Sequence, residues 1–183
     1  MKLPNITILD ETDKRLRKIS KEATFPLSKE EKQMIQDMID YLTLSQIEPE
    51  REKYDLRAGM GLSAVQVGVL KRIFVIVEEV EKEKFKNYIV INPKILSYSE
   101  EKIYVGEGEG CLSINREVEG IVPRRARITV EAYDTEGKKF QIRVREDIAI
   151  AFQHEIDHLN GILFVDHIDP KNPYKDQDKM REI

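Results

Sequence analysis

Apolar positions early in the chain recur at helical spacing. Met34, Ile35, Met38, Ile39, Tyr41 and Leu42 fall three or four apart, which places them on one stripe of a helix. Ser28-Lys-Glu-Glu31 precedes the stripe and has the form of a capping box, in which hydroxyl and carboxylate satisfy exposed N–H groups at a helix start. These features predict an amphipathic helix over residues 29–46 whose stripe is core. Glu48 to Asp55 is almost wholly charged or polar and carries Pro49, so residues 45–58 read as a polar surface loop or insertion.

After Arg72 the pattern changes to strands. Ile73-Phe-Val-Ile-Val77 and Tyr88-Ile-Val-Ile91 are β-branched and apolar, the second ending at an expected stop, Asn92-Pro93. Ile128, Val130 and Ala132 alternate with polar neighbours, as do Phe140, Ile142 and Val144, and Asp134-Thr-Glu-Gly137 between them predicts a hairpin. Ile148, Ala151, Phe152, Glu155, Ile156 and Leu159 then line the turns of a second helix over residues 146–160, with Gly161 as its stop. Strand runs with a helix at each end predict an α+β fold with mainly antiparallel pairing. The tail over 169–183, with Pro170, Pro173 and many charges, is expected to be loosely held.

The length of 183 residues favours one domain, 1–183, around one main core. Thirty Lys+Arg against 34 Asp+Glu give a net charge of −4, which lacks the electrostatic footprint of a protein that grips DNA or RNA indiscriminately. The mean hydropathy is −0.48, and no apolar run reaches the roughly 18 residues of a spanning helix, so no membrane partner is expected. The single cysteine, Cys111, and the absence of a signal-like start point to a reducing, cytoplasmic setting.

The chemistry concentrates in Gln153-His154-Glu155-Ile156-Asp157-His158, which contains H-E-x-x-H within the second predicted helix. Residues four apart share a helical face, so both imidazoles can reach one metal ion while Glu155 reaches a water bound to it and serves as its base. A pair of satisfied core histidines is the competing reading. A catalytic metal commonly takes three protein ligands. His167 lies beyond the Gly161 stop in a proline-flanked segment and reads as an exposed or capping residue. Cys111, in Gly108-Glu-Gly-Cys-Leu-Ser113, is the better third ligand, because a thiolate is a soft, strong ligand for Zn or Fe(II). On its own, it would read as a small buried residue.

Gly59-Met-Gly-Leu-Ser-Ala64 fits the form G-x-G-x-x-A of a dinucleotide-binding turn, but no buried strand precedes it, and that reading is rejected. What is left is a close backbone approach followed by Gln66, whose amide N–H can donate to a developing oxyanion.

Together, Gly59-x-Gly-Leu-Ser-Ala-x-Gln66, Glu109-Gly-Cys-Leu-Ser113 and Gln153-His-Glu-x-Asp-His-Leu159 resemble the signature of the peptide deformylases. The polar insertion and the Glu-Gly-Cys-Leu-Ser wording are similar to the type 2 branch, typical of low-GC Gram-positive bacteria. The resemblance implies antiparallel sheets surrounding a central H-E-x-x-H helix, and one metal held by Cys111, His154 and His158. Fe(II) is the usual ion, with Zn, Ni or Co able to replace it. It further implies hydrolysis of the formyl group from the formyl-methionine of nascent polypeptides, with release of formate. Gln66 and the Leu112 N–H would stabilise the oxyanion, and Met60, Gly61 and Ile150 would form part of the methionine pocket. Asp157 would orient a ligating histidine or pair with Arg124. A monomer is expected, with docking at the ribosome suggested by the nascent-chain substrate. The rivals are a zinc endopeptidase, which would draw its third ligand from downstream, and a non-catalytic relative that binds formylated peptides or ribosomes.

Overall fold

A computed structural model describes residues 1–183. Helix α1 spans Lys29–Gln46, and its start carries the reciprocal bonds of a capping box: Glu31 N–H donates to Ser28 Oγ, and Ser28 N–H to the Glu31 carboxylate. Its inward face, Ile35, Met38, Ile39 and Leu42, packs with Leu62, Ile73, Val75 and Val77 into one core cluster. The polar segment that follows is a short helix rather than a loop. In α2 (Glu48–Lys53), Pro49 sits in the first turn, where its missing N–H costs nothing, and no residue is buried.

Five strands form an antiparallel sheet in the order β1-β2-β3-β6-β7: β1 (Gly61–Ser63), β2 (Ile73–Glu81), β3 (Lys84–Tyr98), β6 (Arg127–Tyr133) and β7 (Lys139–Arg145). Strand β2 explains its own unbroken apolar run. Ile73, Val75 and Val77 face α1, whereas Phe74 and Ile76 face a second cluster under α3 (Glu146–Leu159), so neither side meets water. In that second cluster Phe152 of α3 lies edge-on to Phe74 with centroids 5.3 Å apart, beside Val90, Ile128, Val130 and Val144. The predicted hairpin is β6–β7, with Val130 opposite Ile142.

Two further features differ from the sequence reading. Asn92-Pro93 does not stop β3. Asn92 adopts φ 51 at a register shift, and its amide is bonded to both the N–H and the C=O of Ala23. The bulge absorbs Pro93 and lets β3 change partner from β2 to β6. The C-terminal tail is not loose either. Its strand β8 (Arg181–Glu182) pairs in parallel with β4 (Lys102–Tyr104), which also pairs with β5 (Arg124–Arg125). Arg181 reaches Glu101 at 2.6 Å and Glu146 at 2.7 Å, partners distant in sequence that local composition does not reveal. No helix is long and apolar enough to cross a membrane.

Candidate metal centre

Helix α3 divides its sides between core and chemistry. Ile148, Phe152, Ile156 and Leu159 pack into the sheet, while His154 and His158, four apart, stand together with ring centroids 5.0 Å apart. Gly161, at φ 74, follows the helix in the left-handed conformation expected of a glycine stop.

The partner of the two rings comes from the irregular segment between β4 and β5. Cys111 Sγ lies 3.4 Å from His158 Nε2, and the donor atoms of Cys111, His154 and His158 all fall within 4.8 Å of one another. The cysteine segment has no sheet ladder of its own, so side chains from elsewhere hold it. The Arg57 guanidinium donates to the carbonyls of Cys111 and Ile114, each at 3.1 Å, and Gln66 Nε2 donates to Ser113 Oγ at 3.0 Å.

The charges around the cluster are buried and paired. Glu109 Oε1 is 2.9 Å from His154 Nδ1, and the same carboxylate takes two bonds from Arg124, at 2.8 and 2.9 Å. Burial works to raise the Glu109 pKa, but its bonds with His154 and Arg124 outweigh it and hold the carboxyl below the usual range. Burial works to lower the His154 pKa, and the nearby Cys111 and Glu109 outweigh that; a cation bound at Nε2 would displace the proton they favour. Burial keeps His158 well below its usual value, in the neutral form that ligates metals.

The donor set fits a cation. One sulfur and two imidazoles converge where Glu109 holds Nδ1 of His154 and leaves Nε2 as its free donor atom. Softness of the ligands suits Zn or Fe(II) better than Mg or Ca.

A cavity of about 330 Å³ opens onto this cluster. Cys111, His154, Glu155, Gln66, Leu112, Met60, Gly61 and Ile150 all line it, whereas His158 lies behind them, 1% exposed, with its Nδ1 unpartnered. The buried Glu155 has one carboxylate oxygen without a partner, and burial pushes its pKa up to about 7 against the pull of His154 and Arg124. The glycines of the second motif are close-approach positions. A Cβ at Gly61 would stand 2.7 Å from Glu155 Oε1, and one at Gly59 2.7 Å from a methyl of Leu112.

Gln66 is clamped at both ends, its Oε1 accepting from Ser63 N–H and its Nε2 lying 3.6 Å from the cysteine sulfur. The Leu112 N–H makes no hydrogen bond within the protein. Asp157 makes no side-chain hydrogen bond to any of the three candidate ligands; it binds Arg124 at 2.6 Å and His167 at 2.8 Å. The residue against His154 is instead Glu109, which the sequence reading did not single out. Its position two residues before Cys111, in the same segment, was the available signal.

The sequence profile of the family described as "Polypeptide deformylase" matches residues 6–174. A peptide deformylase of Listeria welshimeri is 47% identical over 166 residues, covering 91% of each chain, and one of Macrococcus caseolyticus is 47% identical over 88% of this chain and 89% of its own. The crystal structure of peptide deformylase from Thermotoga maritima superposes with a TM-score of 0.72 at 34% identity, covering 90% of this chain and 98% of that one.

Proposed function

The chain belongs to the polypeptide deformylase family of hydrolases, and from that premise we propose that it removes the formyl group from formyl-methionyl nascent peptides at a metal held by Cys111, His154 and His158. The observation that carries the reading is the convergence of that sulfur with two rings four residues apart on α3. A zinc endopeptidase would take its third ligand from downstream of the helix motif, and here the sulfur comes from upstream.

When bound, the ion, Fe(II) in our reading, with Zn, Ni or Co able to replace it, acts as a Lewis acid and makes water acidic enough to supply hydroxide near neutral pH. Glu155 accepts the proton that the attacking water gives up and passes it to the departing amine nitrogen. Burial raises the pKa of this carboxyl, which helps it hold the proton between the two transfers. As the formyl oxygen gains negative charge, the unengaged Leu112 N–H and the Gln66 amide donate to it. Gln66 does so by exchanging its long contact to sulfur, while its bonds to Ser63 keep the side chain from turning away.

Met60, Gly61 and Ile150 supply an apolar wall for the methionine side chain. Glu109 fixes the His154 ring, and Arg124 fixes Glu109. Formate release from a formyl-Met-Ala-Ser peptide, with no cleavage of internal bonds, is the expected result. Internal cleavage without formate release would replace this reading with the protease.

A further inference from the structure

Helix α3 lines the cavity with Asp147, Ile150, Ala151 and His154, positions that form one stripe running away from the metal ligands. At 1.5 Å of rise per residue, Asp147 stands about 10 Å along the axis from His154, with Ile150 between them. An extended peptide advances about 3.3 Å per residue. A chain with its formyl group beside His154 and its first side chain against Ile150 therefore brings its second or third residue level with Asp147.

The charges lining this cavity are not equally available. Glu109 is bonded to Arg124 and His154, and Glu155 is buried beside Gly61. The guanidinium of Arg57 is committed to two backbone carbonyls and to Asn115. Asp147 is exposed; its Oδ1 accepts only from the N–H of Ile148, at 3.0 Å, and its Oδ2 has no partner. Asp147 is thus the cavity's exposed carboxylate, with one oxygen free for an incoming peptide.

We propose that Asp147 makes the site favour formylated peptides with lysine or arginine at the second or third residue. The inference rests on the deformylase reading. The test compares kcat/KM on formyl-Met peptides carrying Lys, Leu or Glu at each of those positions. At one position Lys is expected to exceed Glu by about five- to tenfold at low salt, and the ratio to shrink in about 0.5 M salt, as a partly exposed ion pair requires. In Asp147→Asn, which keeps a side-chain acceptor at the helix start, that ratio should fall toward one. Equal rates for Lys, Leu and Glu, or a ratio unchanged in Asp147→Asn, would overturn the inference while leaving the deformylase reading intact. Turnover of none of the peptides would remove that reading and this inference with it.

Discussion

Glu109 Oε1 stands 2.9 Å from Nδ1 of His154, so the carboxylate next to the cysteine segment, and not the Asp157 of the helix motif, orients the first histidine. Glu109→Gln keeps a partner for the ring but removes the charge. It is expected to weaken metal binding about 10- to 100-fold, measured by competition with a chelator of known affinity. It also leaves Arg124, buried at 4% exposure, without its bidentate partner, so a lowered midpoint of thermal unfolding should accompany the loss.

Glu155→Gln removes the proton acceptor without touching a ligand atom. Turnover should fall about 10²- to 10⁴-fold while the metal content, measured by mass spectrometry of the purified protein, stays near one per chain. Turnover that persists at the wild-type rate would show that another group moves the proton.

Gly61→Ala tests the close approach of the second motif to the helix. The added methyl would meet Glu155 Oε1 at 2.7 Å and must displace the carboxylate. Because a shift of about 1 Å at a reacting group can cost about 100-fold, kcat should fall at least tenfold. Metal content should not change.

The tail gives a pH prediction with a definite sign. The Arg181 guanidinium lowers the Glu146 carboxyl below its usual 4.5. A carboxyl lowered on folding contributes stability that is present above 4.5 and is lost as pH falls through the depressed value. Arg181→Ala should therefore narrow its difference in unfolding midpoint from the wild type as pH is taken from 5 to 3. A constant difference across that range would contradict the pairing.

Much of this was legible in the chain because local rules and the fold agree. The Ser28–Glu31 cap, the stripe through Leu42 and the Gly161 stop each depend on neighbours a few residues away. The features that were not legible depend on distant partners. Asn92 reads as a strand end until Ala23 is seen bonded to its amide, and Arg181 reads as tail charge until Glu101 and Glu146 stand beside it. Within the site, residue types and spacing suggested the cluster of Cys111, His154 and His158. The choice between Glu109 and Asp157 at His154 was set by how the cysteine segment folds back along α3, which has no local pattern.

X-ray absorption of the anaerobically purified protein tests the central claim most directly, because it counts the atoms around the ion. One metal per chain with one sulfur and two imidazole nitrogens in its coordination shell is the expected result, with the sulfur lost in Cys111→Ser. A shell without sulfur in the unaltered protein would contradict the account.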